Sequence, residues 1–172
     1  MQTSNIFLIG FMGVGKSTIA RLLANRLNMK LIEMDETIEA EQDMSIPEIF
    51  EMKGEEVFRD MESALVERIS HDKNAVVSCG GGAVLREKNV VNMKKNGKVV
   101  FLTATPETIF ERVRNTTHRP LLAGNMDIAY IAKLMERRRM FYEQAADVII
   151  STDAKNEEMI LKEISEICVD IK

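Results

Sequence analysis

Residues Gly10-Phe11-Met12-Gly13-Val14-Gly15-Lys16-Ser17 fit the pattern G-x-x-x-x-G-K-S/T, and no other feature of the chain constrains its fold as tightly. An apolar run ending at Ile9 precedes the motif and an amphipathic run over 17–27 follows it, so strand, phosphate loop and helix are expected in that order. The glycines let successive backbone N–H groups converge on phosphate oxygens without a side-chain clash. The start of the helix adds its positive dipole end. Gly13, Val14, Gly15, Lys16, Ser17 and Thr18 are therefore candidate nucleotide contacts, with Lys16 at the β/γ oxygens and the Ser17 hydroxyl on Mg²⁺. A chance glycine-rich turn is the competing reading, disfavoured by the flanking strand and helix.

The rest of the chain alternates short Val/Ile/Leu/Phe-rich runs at 6–9, 31–34, 75–79, 99–103 and 148–151 with helical patterns at 17–27, 46–70, 87–95, 107–114, 127–145 and 156–171. Near-continuous apolar runs suit strands covered on both faces of a parallel sheet. Thr105-Pro106-Glu107 is a helix start, with a capping hydroxyl, proline at the first helical position and an acid in the first turn. Right-handed β–α–β order then predicts one three-layer α/β/α domain over 1–172 with five parallel strands. Residues 36–62 hold about two helical segments broken at Lys53-Gly54, and 115–126 is polar with Pro120 and Gly124. Such additions are expected beyond the carboxyl ends of the strands, where α/β folds bind ligands, although each could be a plain surface excursion.

With 172 residues the core needs no disulfide, and Cys79 and Cys168 read as reduced thiols. A net charge of −4 speaks against a nucleic-acid footprint, and no apolar run approaches the roughly 20 residues of a spanning helix. The first ten residues lack a basic n-region, so 6–9 is expected to be a strand rather than part of a signal peptide. A cytoplasmic protein with small-molecule partners, and neither nucleic acid nor membrane, is the expectation.

A phosphate loop implies a nucleotide but not a reaction. The chain has no N-K-x-D element for reading guanine, and the third strand runs into Gly80-Gly81-Gly82 without the terminal acid of a motor or transporter ATPase. A small-molecule kinase fits better. Asp35 could orient an attacking hydroxyl or merely cap the next helix. Arg59 has Glu55 and Glu62 at i−4 and i+3 and lies off the Phe58–Met61–Leu65 stripe, which predicts an exposed ion-pair cluster. Arg138 differs: Ile131, Leu134, Met135, Arg138, Phe141 and Tyr142 share one helix face, and a guanidinium there needs an anion. That anion could be a substrate carboxylate or an internal acid. The three glycines allow close backbone approach to a ligand or simply form a tight turn.

Seven segments together resemble the shikimate kinase family over essentially the whole chain. They are the phosphate loop at 10–18, Glu33-Met34-Asp35, 45–50 (SIPEIF), 54–62 (GEEVFRDME), 78–84 (SCGGGAV), 119–122 (RPLL) and the R-x-x-x-Y of 138–142. The resemblance implies sheet order 2-3-1-4-5, as in nucleoside monophosphate kinases, and ATP-dependent phosphorylation of the shikimate 3-hydroxyl on the route to chorismate. It further implies that Asp35 holds the substrate hydroxyls, that Arg59 and Arg138 bind the carboxylate, and that the Gly81 and Gly82 amides meet the substrate. Arg119 would be the lid arginine within 115–126, and Arg112 and Lys155 would flank the adenine. Glu33 stands where the family usually has an aspartate that helps hold Mg²⁺, and Met140 where it often has proline. A monomer is implied. A gluconate or nucleoside monophosphate kinase, or a non-catalytic nucleotide-binding module, are the alternatives, which a substrate panel separates.

Overall fold

The computed structural model describes residues 4–114 and 127–169. Strand β1 (Asn5–Ile9) is followed by α1 (Lys16–Leu27), β2 (Lys30–Glu33), α2 (Met34–Gln42), α3 (Ile46–Lys53), α4 (Glu55–His71) and β3 (Ala75–Ser78). A 3-10 turn at Ala83–Leu85 leads to α5 (Glu87–Lys95), β4 (Gly97–Thr103), α6 (Pro106–Val113), α7 (Ile128–Ala145), β5 (Val148–Ser151) and α8 (Glu157–Val169). The strands form one parallel sheet in the order β2-β3-β1-β4-β5, as the resemblance implied.

β1 is central and wholly buried, and its alternation splits the interior in two. Ile6 and Leu8 join a core built with α1, α6 and α8, while Phe7 and Ile9 join one built with α2, α3, α4 and α5. Helix α7 belongs to both: Ile131 packs in the first core, Tyr142 and Ala145 in the second. Asn5, fully buried at the start of β1, donates through Nδ2 to the carbonyls of Ile69 and Asp72 and accepts from the Ala75 amide at 3.0 Å. One side chain thus joins β1, the end of α4 and the start of β3.

Several boundaries differ from the sequence expectation. The second strand ends at Glu33, and Met34, expected in it, is the buried first residue of α2. The break expected at Lys53-Gly54, by contrast, is observed: Gly54 adopts φ 86° between α3 and α4, so the run at 46–70 is two helices. Helix α3 starts at a capping box: Ser45 and Glu48 satisfy each other's backbone amides, and Glu39 takes the Ile46 amide. Thr105 caps α6 and Pro106 occupies its first position, as the sequence predicts. Helix α7 begins one residue later than expected because Asp127 is its cap. The expected lid, 115–126 with Arg119, lies outside the described residues.

Candidate active site

β1 and β3 lie side by side, so the loops that leave their carboxyl ends meet. The Cys79 amide donates to Leu8 O at 3.0 Å, which sets the glycine turn after β3 against the phosphate loop after β1. Between them opens a cleft of about 980 Å³. At one end lie Arg112, Thr152 and Lys155; the phosphate loop and Glu33 form the middle; Asp35, Arg59 and Arg138 line the other end.

The middle is built to take an anion. Gly13 and Gly15 have φ of 80° and 104°, which only glycine adopts without strain, and Gly15 starts α1 with no side-chain cap. The amino-terminal end of α1, with its positive dipole, therefore faces the cleft without a side chain covering it. Lys16 Nζ lies folded over the loop, donating to Gly10 O at 2.8 Å and Phe11 O at 3.1 Å. Ser17 Oγ donates to Glu33 Oε2 at 3.0 Å, and Ser78 Oγ is 3.4 Å from Ser17 Oγ. Glu33 Oε1 is buried with no hydrogen-bond partner among the described residues. An orphaned carboxylate oxygen beside a phosphate-loop hydroxyl is a hard-oxygen donor pair. It suits Mg²⁺, which keeps several waters and takes one or two protein ligands.

At the first end Arg112 is a strut. It donates to Val14 O at 2.9 Å and Thr152 Oγ1 at 3.1 Å, joining the phosphate loop to the segment after β5. Lys155 is held by Glu163 of α8 at 2.7 Å.

At the far end each flanking glycine of the turn makes room for a charged side chain. A Cβ on Gly80 would collide with Glu62 Oε1 and lie 2.9 Å from Asp35 Oδ1, and one on Gly82 would run into the Arg59 guanidinium. On Gly81 it would stand 3.8 Å from Arg138 Nη1 and 3.9 Å from the Tyr142 hydroxyl, ordinary contacts. Asp35 sits in the first turn of α2 without capping it; the residue as a whole is exposed at the cleft, but its Oδ1 lies against Gly80. The surrounding protein nonetheless pushes its pKa above the usual aspartate value. Lost solvation is the main cause; Lys16 opposes it, and Glu39 and Glu33 add to it.

Arg59 corrects the sequence reading. It pairs with Glu62 at 2.6 Å and with Glu55 at 3.0 Å, as the spacing predicted, but the pair is not exposed: Arg59 is 8% accessible and Glu62 1%. Helix α4 has two covered sides. The apolar stripe marks the one against the sheet, and the glycine turn covers the other. Burial pushes the Glu62 carboxyl up, with Arg59 opposing, and Glu62 Oε1 has no hydrogen-bond partner among the described residues. Sequence reasoning saw Glu62 only as a neighbour of Arg59. The available signal is that Glu62 closes the same 54–62 segment that carries Arg59.

Arg138 is half-buried, as its helix face predicted, and donates to Gly81 O at 3.4 Å. Among the described residues no carboxylate lies within ion-pair distance of it, so the internal salt bridge is not observed. Cys79 is a buried packing residue whose thiol is pushed up by burial.

Asp35, Arg59, Gly81, Gly82 and Arg138 are thus brought to one end of a cleft whose middle holds Gly13 to Thr18 and Glu33, with Arg112 and Lys155 at the other end. The family model described as "Shikimate kinase" matches residues 12–168. A shikimate kinase of Persephonella marina is 44% identical over 160 residues, covering 93% of this chain and 96% of that one. Among solved structures, a shikimate kinase from Acinetobacter baumannii in complex with shikimate superposes with a TM-score of 0.92 at 30% identity, over 99% of this chain and 96% of that one. A shikimate kinase from Aquifex aeolicus does so at 0.82 and 37% identity, over 96% of each chain.

Proposed function

The chain belongs to the shikimate kinase family, and from that premise we propose that it transfers the γ-phosphoryl group of ATP to the 3-hydroxyl of shikimate, giving shikimate 3-phosphate and ADP on the route to chorismate and the aromatic amino acids. The observation that carries this reading is the juxtaposition, in one cleft, of a phosphate loop, the Asp35 carboxylate and a half-buried Arg138 that forms no salt bridge among the described residues.

The amides from Gly13 to Thr18 hold the phosphates. Lys16 turns from the loop carbonyls to the β/γ oxygens, where charge develops as the bridging bond breaks. Arg112 and Lys155 border the base. Ser17 and Glu33 are the residues that would hold Mg²⁺, which supplies charge neutralisation at the phosphates. Asp35 orients the shikimate hydroxyl and accepts its proton as the new O–P bond forms, and its raised pKa suits that exchange. Arg138 takes the substrate carboxylate through paired charge-assisted hydrogen bonds, and Arg59, kept in place by Glu62, supports it. The Gly81 and Gly82 amides meet the substrate.

The 36–62 segment forms the acceptor wall, and 115–126 acts as a lid that brings Arg119 to the transferring group and excludes water. The protein works as a cytoplasmic monomer of one domain, with no nucleic-acid or membrane partner. ATP consumption measured with shikimate, gluconate, AMP and CMP in parallel tests the reading. Turnover with shikimate alone is expected, and a preference for any of the other three overturns it.

A further inference from the structure

Tyr142 has no part in the machinery above, yet it is 2% exposed and sits directly behind the glycine turn. Its ring stacks on Phe101, with centroids 5.0 Å apart and planes 17° from parallel. Its hydroxyl donates to Gly81 O at 2.5 Å. Arg138, one turn earlier on α7, donates to the same oxygen at 3.4 Å. A carbonyl has two lone pairs, and these two donors take both. Burial pushes the phenol up to about 12, so it remains an O–H donor at any working pH.

The carbonyl of Gly81 and the amide of Gly82 belong to one planar trans peptide and point in opposite directions. An oxygen held on the α7 side turns the Gly82 N–H to the other side. Neither Gly81 nor Gly82 donates its amide to another group among the described residues, so both remain available at the cleft. Glycine is also the residue whose flanking peptides rotate most freely. Two consecutive glycines need an outside anchor if their amides are to keep one direction.

We propose that Tyr142 is a positioning residue whose hydroxyl fixes the Gly81–Gly82 peptide, so that the Gly82 amide is presented to the acceptor substrate and Arg138 is set at the shared carbonyl. The inference rests on the acceptor-site reading above. The stacked ring alone would fill the core equally well as phenylalanine, and the hydroxyl is the part that faces the site.

Tyr142→Phe keeps the ring and removes the donor. In ligand-free protein the Gly82 amide resonance should move and its hydrogen exchange should quicken. The KM for shikimate should rise about three- to tenfold, with kcat and the KM for ATP within about twofold of wild type. Phe101→Leu is the packing control, lowering Tm while leaving the KM for shikimate within about twofold. An unchanged Gly82 resonance in Tyr142→Phe overturns the proposal. So does an unchanged KM for shikimate, or a Phe101→Leu variant that raises that KM equally. Wild-type protein without turnover on shikimate would sink the functional reading instead, and the Gly82 resonance in the free protein would still decide the positioning role.

Discussion

Two arginines reach the acceptor end of the cleft with different amounts of neutralising charge around them. Arg59 arrives in ion pairs with Glu62 and Glu55, whereas Arg138 forms no salt bridge among the described residues and meets the neutral Gly81 carbonyl and Tyr142 hydroxyl. An incoming carboxylate therefore gains most at Arg138. Lysine cannot reproduce the planar fork, so Arg138→Lys should weaken shikimate binding by roughly 1.5–3 kcal/mol, about ten- to a hundredfold, in an equilibrium titration. ATP affinity should stay unchanged in the same preparation. Asp35 carries a stability signature as well. Its folded pKa lies above the ordinary 3.8, so the ionised carboxylate is a burden on the fold at pH 7.5 that vanishes once both folded and unfolded states are protonated. Asp35→Asn should raise Tm at pH 7.5, and the gain should shrink as pH falls through the raised pKa toward 3.8. A gain that grows toward acid pH would mean that the carboxylate is stabilised in place. Glu33 has one oxygen without a hydrogen-bond partner among the described residues, and Glu33→Gln should raise the Mg²⁺ concentration for half-maximal rate by about tenfold with little change in the KM for shikimate.

At the scale of elements, what the sequence makes legible depends on how far apart the cooperating residues lie. The phosphate loop occupies eight consecutive positions between a strand and a helix, so pattern alone identifies it. The strands read well because a doubly covered strand is apolar throughout, as in β1 and β3. Helical periodicity reports one packing surface per helix. It placed Arg138 correctly on its half-buried face, yet it put Arg59 in solvent, because the second cover of α4 comes from glycines 23 positions downstream at Gly82. The pairing of Glu62 with Arg59 was visible as spacing, but its burial was not. Tyr142 is visible in the sequence only as the end of the R-x-x-x-Y motif, since nothing local shows that its hydroxyl meets Gly81. Asn5 had no periodic signal, although its three hydrogen bonds tie β1, α4 and β3 together. Asn5→Ala leaves two carbonyls and an amide without that partner, and chemical denaturation should show a loss of about 2–3 kcal/mol. A loss below about 0.5 kcal/mol would mean that water replaces the amide without penalty.

For the molecule as a whole, ligand binding and stability are linked through the loops at the carboxyl edge of the sheet. A nucleotide that binds only the native phosphate loop, present at a hundredfold excess over its Kd, should add about 2.7 kcal/mol and raise Tm by about 5–10 °C. Asp35→Asn should keep that shift while losing turnover, because Asp35 stands at the acceptor end and the phosphate loop is left intact. A lost shift would place Asp35 in nucleotide binding. The alternation along β1 has a wider consequence. The helices behind the phosphate loop, α1, α6 and α8, rest on one hydrophobic core, and the helices α2, α3 and α4 that build the acceptor wall rest on the other, with the sheet as a wall between them. A lineage can therefore rewrite the acceptor half by drift or recombination while inheriting the ATP half unchanged. A laboratory chimera that grafts a foreign 34–71 segment onto this sheet has to match only one layer of side chains to fold. The exception is α7, which spans both cores and would have to be exchanged together with the graft.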